Sequence, residues 1–134
     1  MKTKTLTVSS ERHTEMIDIS ADIRAAVAES GVKNGICLVF VPHTTAAVTV
    51  NENADPDVKS DIIKELAEIV PWEDNYRHRE GNAAAHLKSS LVGCAQSLII
   101  EDGDLLLGTW QGVYFCEYDG PRRRRVLLKI VADA

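Results

Sequence analysis

The residues of this chain that could do chemistry fall into three polar knots separated by apolar stretches. The first is Pro42-His43-Thr44-Thr45, which runs on to Asn51-Glu52-Asn53-Ala54-Asp55; the second is His78-Arg79-Glu80-Gly81-Asn82, followed closely by His86. The third is Gly108-Thr109-Trp110-Gln111-Gly112, followed by Glu117, Asp119, Gly120, Pro121 and the run Arg122, Arg123, Arg124 and Arg125. Imidazole is the commonest protein ligand for transition metals, and three histidines around an open fourth position would make a zinc site of the catalytic kind. The spacing of His78 and His86 is not the i, i+4 pairing of a zinc-protease helix, so an ion is one reading among several. Polar residues at the ends of rigid elements are where sites are usually built, and three knots of this kind predict one shared pocket. The density of positive charge at the arginines makes phosphate the best anionic ligand for it.

Plainer readings stand beside each of these. His43 next to a proline can close a strand end, His86 can sit at the flank of an apolar helix face, and His78 and His13 can be solvated. Asn51 and Asn82 suit a strand end and a helix cap. Trp110 fits a core or interface aromatic as well as a substrate stack, and arginines alternating along a strand can pair with the chain's many carboxylates.

The elements that must position these residues are legible from periodicity. Leu6 and Val8 alternate with Thr5 and Thr7, and Ile17 and Ile19 flank Asp18, as in two half-buried strands. Ser20 opens a short helix, Ala21 to Ser30, stopped by Gly31. The apolar run Ile36 to Val41 predicts a strand buried on both faces, and Thr44 to Glu52 predicts another with polar ends. Asp55-Pro56 starts the most secure helix, whose apolar stripe is Val58, Ile62, Ile63, Leu66, Ile69 and Val70. A third helix runs from Asn82 to about Val92. Asp102-Gly103 marks a tight hairpin, and strands follow at Gly112 to Tyr118 and Val126 to Val131 around the turn Asp119-Gly120-Pro121. About eight strands and three helices, without a helix between each pair of strands, predict an α+β, β-sandwich-like domain of largely antiparallel sheets. It spans residues 1–134 as a single unit.

Composition narrows the function classes. With 45% hydrophobic and 26% charged residues the chain has ordinary globular usage. A net charge of -5 argues against broad attraction to nucleic acid or an anionic membrane. The alternating N-terminus is not a secretory signal and no stretch approaches a membrane span, so a cytoplasmic location is expected. Cys37, Cys94 and Cys116, odd in number and among apolar neighbours, read as reduced core thiols.

Taken together, PHTTAAVTVNENADPDV, HREGNAAAHLKSSLVG and GTWQGVYFCEYDGPRRRRV resemble the YjbQ-like family of small bacterial and archaeal proteins, over essentially the whole chain. That resemblance implies a homotrimer, a divalent metal (zinc being the first expectation) and a low, secondary thiamine-phosphate synthase activity. Carried over residue by residue, it implies His43, His78 and His86 as metal ligands. Thr44, Thr45, Trp110, Gln111, Arg122 and Arg124 would bind a small phosphorylated molecule, with His86, Glu117 and Asn51 catalytic. Thiamine-phosphate synthesis displaces diphosphate from a pyrimidine methyl carbon by a thiazole nitrogen, so the leaving group needs a cation or arginine. Two alternatives remain: a metal-dependent hydrolase or lyase, in which the metal activates water, and a non-enzymatic trimeric ligand-binding module.

Overall fold

The computed structural model describes residues 2–134. Strands β1 (Lys4–Ser9), β3 (Gly35–Phe40), β5 (Ala95–Glu101), β6 (Asp104–Leu105) and β8 (Arg123–Ala132) form one sheet in the order β1-β8-β3-β5-β6. Strands β2 (Glu15–Asp18), β4 (Ala46–Glu52) and β7 (Gln111–Glu117) form a second, in the order β2-β7-β4. Every pairing is antiparallel. With helices α1 (Ser20–Ser30), α2 (Pro56–Ile69) and α3 (Ala83–Val92), this is the α+β sandwich that the periodicity predicts.

The smaller sheet is the middle layer. Val113 and Phe115 of β7 and Val48 of β4 face the larger sheet, where they meet Cys37, Val39, Val126 and Leu128. Tyr114 and Cys116 face the other way, under Ala85 of α3 and Ile62, Ile63 and Leu66 of α2. Buried on both sides, β7 shows the continuous burial expected of a covered strand.

That property was expected of Ile36 to Val41, and there the structure differs. Strand β3 alternates, with Cys37 and Val39 inside and Ile36, Leu38 and Phe40 exposed. The reason is position: β3 lies in the larger sheet, whose outer face is covered by no element among the described residues, and Ile99 and Val131 flank Ile36 on that face. Residue type alone does not tell a strand covered on both faces from one covered on a single face.

Helix α2 starts where Asp55 and Pro56 predict, the Asp55 carboxylate accepting from the Asp57 N–H at 2.9 Å. Its stripe is only half-buried, and Ile69 is exposed. The hairpin at Asp102-Gly103 has the positive φ values, 53° and 82°, that its residues suit. Cys37 and Cys116 are buried, but Cys94 is exposed, a correction to the reading of all three as core thiols: it sits between α3 and β5 rather than on a core-facing strand position. Among the described residues no helix is long and apolar enough to cross a membrane.

Candidate functional site

The antiparallel register of β4 and β7 decides which polar knots meet. Ala46 lies opposite Glu117 at one end of the pair, and Asn51 opposite Gly112 at the other. At about 3.3 Å per residue the two ends of β4 are roughly 20 Å apart. His43, Thr44 and Thr45 therefore gather with Glu117, Asp119 and the arginines, while Asn51, Glu52, Trp110 and Gln111 gather at the far end. The expectation of one pocket from three knots is corrected accordingly. Within one chain, Asn51, Trp110 and Gln111 do not share the histidines' space. They are engaged locally: Asn51 Oδ1 accepts from the Glu52 N–H at 2.7 Å and Gln111 Oε1 from the Gly108 N–H at 2.7 Å, with Trp110 exposed.

At the histidine end lies an open cleft of about 390 Å³, lined by Pro42, His43, Thr44, Thr45, His78, Glu80, Asn82, His86, Arg122 and Arg124. That volume is within the range of small-molecule sites. The loop before α3 brings in His78, and the first turn of α3 brings in His86, so that their rings stand nearly perpendicular with centroids 5.2 Å apart.

Behind the cleft a buried network holds the arginines in place. Glu117 is fully buried and accepts from Arg124 Nε at 2.9 Å, from Arg124 Nη2, from the Ser10 hydroxyl at 2.7 Å and from the Asp119 N–H at 3.1 Å. Burial pushes its carboxyl up, but the bonds from Arg124 and Ser10, the Asp119 amide and the Arg124 charge outweigh that and hold it below the ordinary value. With these bonds Glu117 supports Arg124 and is not among the residues that line the cleft. Arg124 Nη2 also donates to Thr45 Oγ1 at 2.8 Å. Its Nη1 has no protein partner among the described residues.

The turn after β7 adds the second arginine. Arg122 donates from Nε to the Asp119 carbonyl at 2.8 Å and from Nη2 to its carboxylate at 3.0 Å. Gly120 permits this corner, because a Cβ there would lie 2.4 Å from the Arg12 carbonyl oxygen and 2.7 Å from Ser10 Oγ. Asp119 takes a further bond from Asn82 Nδ2 at 2.9 Å, and His13 Nε2 stands 3.7 Å away. Against the upward push of burial, the bonds from Asn82 and Arg122 and the Arg122 charge keep Asp119 below its ordinary range.

His43 has a defined proton arrangement. Its Nε2 accepts the Arg125 N–H at 2.9 Å, which requires a neutral ring carrying its proton on Nδ1. Burial, and then the charges of Arg124 and Arg125, push its pKa down, in keeping with neutrality. His43 is consequently a hydrogen-bond donor through Nδ1 and not a free lone pair. Among the described residues no three His, Cys, Asp or Glu side chains are grouped to hold a metal ion. As arranged, the three imidazoles share a cleft but do not fit a three-imidazole ion.

Two residues of this end have no site role in the sequence analysis. Nothing in the spacing pointed to Ser10. Asn82, the last residue of the second knot, suits a helix cap by its type, yet at the N-cap of α3 its side chain makes no capping bond; its i, i+4 relation to His86 puts both on one helix face.

The sequence profile described as "UPF0047 protein YjbQ-like" matches residues 4–133. UPF0047 protein MJ1081 of Methanocaldococcus jannaschii is 54% identical over 126 residues, covering 94% of this chain and 91% of that one. UPF0047 protein YugU of Bacillus subtilis is 52% identical over 129 residues, covering 96% and 98%. Among solved structures, an uncharacterized conserved protein of the yjbq/upf0047 family from Clostridium acetobutylicum superposes with a TM-score of 0.94 at 50% identity, covering 96% of this chain and 99% of that one. A YbjQ-like protein of unknown function from Sulfolobus solfataricus also gives 0.94, at 34% identity, covering 98% and 97%.

Proposed function

This chain belongs to the YjbQ-like UPF0047 family, and from that premise we propose that the His43–His78–His86 cleft binds a small phosphorylated molecule and supports the thiamine-phosphate-synthase-type reaction that the family resemblance implies. The observation that carries the reading is the pairing state of the charges. Glu117 and Asp119 are already engaged with the two arginines, so the hydrogen-bond donors left on Arg122, Arg124 and the imidazoles, residues that line the cleft together with Glu80, make a donor-rich concavity. Such a concavity suits a diphosphate leaving group, whose charge grows as its carbon–oxygen bond breaks. The thiazole nitrogen forms the new bond to the pyrimidine methyl carbon as diphosphate departs with the electron pair. No base is needed at that step, and His43 through Nδ1–H is placed to donate to a phosphate oxygen.

Calorimetric titration with inorganic diphosphate is the first test, followed by chromatographic detection of thiamine phosphate from a pyrimidine diphosphate and a thiazole phosphate. Diphosphate should bind, and Arg122→Ala should weaken it about tenfold, the worth of one charge-assisted contact. No binding at millimolar diphosphate would end the proposal. Binding with phosphate-ester hydrolysis in place of transfer would favour the hydrolase reading, and binding without turnover the ligand-binding module.

A divalent metal is a second reading, favoured by the adjacency of His78 and His86 and opposed by the bond that His43 makes to Arg125. Elemental analysis after purification with zinc tests it directly: one zinc per chain that His86→Ala loses would favour the metal, and its lack would leave the donor cleft alone. The implied homotrimer has a natural contact in the uncovered face of Ile36, Leu38, Phe40, Ile99 and Val131; analytical ultracentrifugation of Leu38→Asp should show a smaller species.

A further inference from the structure

Beside the cleft lies one buried acceptor with no partner among the described residues. Asn82 is 8% exposed, and its Oδ1 is the one buried side-chain polar atom without a hydrogen-bond partner among the described residues. The amide cannot turn over to relieve this. Its Nδ2 donates to Asp119 Oδ2 at 2.9 Å, and the reversed orientation would set an oxygen against a carboxylate that the Arg122 contact keeps ionised. Oδ1 is thereby fixed as an acceptor in a residue that lines the cleft, among side chains that otherwise chiefly donate.

Buried polar groups are nearly always satisfied, and an exception calls for an explanation, of which a bound partner is one. The arginines and His43 ask for an anion, whereas Asn82 Oδ1 asks for a donor. We propose that Asn82 is a specificity-determining residue, which selects phosphorylated molecules that also carry a hydroxyl or amino hydrogen-bond donor beside the phosphate. This rests on the phosphate-binding reading above and adds the second half of the ligand's chemistry. Sites that hydrogen-bond a ligand donor reject the analogue lacking it, because the protein's own polar group is then left bare.

The test compares ethyl phosphate with 2-hydroxyethyl phosphate and glycerol phosphate, matched in charge, by calorimetry on the full-length chain. The hydroxylated esters should bind about tenfold more tightly to the unaltered protein, as one satisfied buried acceptor implies. Asn82→Ala should erase that preference while still binding ethyl phosphate. Asn82→Ser, whose shorter side chain withdraws the amide oxygen and offers α3 a capping hydroxyl, is the companion variant if Asn82→Ala impairs folding. A preference lost in Glu80→Gln but kept in Asn82→Ala would assign the ligand's donor to the carboxylate that also borders the cleft and overturn the proposal. Equal affinity for all three esters would overturn the Asn82 proposal and leave phosphate binding standing, as would a preference that survives both Asn82 variants. Failure of every ester to bind would overturn both.

Discussion

Replacing Glu117 by glutamine changes one charge and almost no volume, in the most buried polar position of the fold. Arg124 is 4% exposed, and its Nε and Nη2 both donate to Glu117. With glutamine in place, the guanidinium keeps its charge without a counter-ion, and the new amide N–H₂ faces donors. Removing one partner of a buried ion pair costs about 3–5 kcal/mol, a large share of the roughly 5–15 kcal/mol that holds a domain together. For a chain of this size that corresponds to a melting-temperature drop of about 10–20 °C. Urea unfolding followed by circular dichroism, with an unchanged slope, is the assay. The double variant Glu117→Leu with Arg124→Met should cost less than Glu117→Gln alone, because it removes the stranded charge along with its partner. The effect also has a pH signature. Since Glu117 titrates below its ordinary value of 4.5, its contribution is complete above that pH and is lost as pH falls through the lowered folded-state value, so the gap between the two proteins should close in acid. A Glu117→Gln cost under about 1 kcal/mol, or a double variant as costly as the sum of its singles, would refute the picture of a load shared between these two residues.

Other outcomes follow from single positions. Gly120→Ala should destabilise by about 1–3 kcal/mol or more, because the added methyl meets the Arg12 carbonyl, and an unchanged urea midpoint would contradict the corner described here. Native protein should react with iodoacetamide at Cys94 and not at Cys37 or Cys116, whose thiols burial pushes up to about 11 and about 12; peptide mass spectrometry reads the sites. In NMR titration the His43 ring should remain neutral to a pH below its ordinary 6.5, and protonation above that value would be inconsistent with its bond to the Arg125 amide.

The architecture was legible to the extent that periodicity governs it. Asp55-Pro56 marks the start of α2 because a side-chain acceptor and a missing N–H act locally, and Asp102-Gly103 marks its hairpin because φ is a property of two residues. What a strand face packs against is not local. Ile36 to Val41 and Gly112 to Tyr118 are similar apolar runs, yet the first has an uncovered face and the second has none, since only the sheet order places β7 between a sheet and two helices.

The site divides in the same way. That His43, His78, His86, Arg122 and Arg124 matter together could be read from polar residues at element ends, and they do meet. Which partner each one already has could not be read. The register of β4 against β7 sends Asn51, Trp110 and Gln111 to the far end, and the turn at Gly120 returns Arg122 onto Asp119. These are hydrogen bonds between residues distant in sequence, and they fix what each group already holds: Glu117 holds Arg124, His43 Nε2 holds the Arg125 N–H, and Asn82 Oδ1 is left without a partner among the described residues. A functional group's type states what it can do, while the bonds it has already formed state what remains for a ligand. In this cleft the remainder is a set of donors for an anion, the Glu80 carboxylate at the border and one buried acceptor, so a ligand that satisfies only the donors leaves Asn82 Oδ1 desolvated and unpaired.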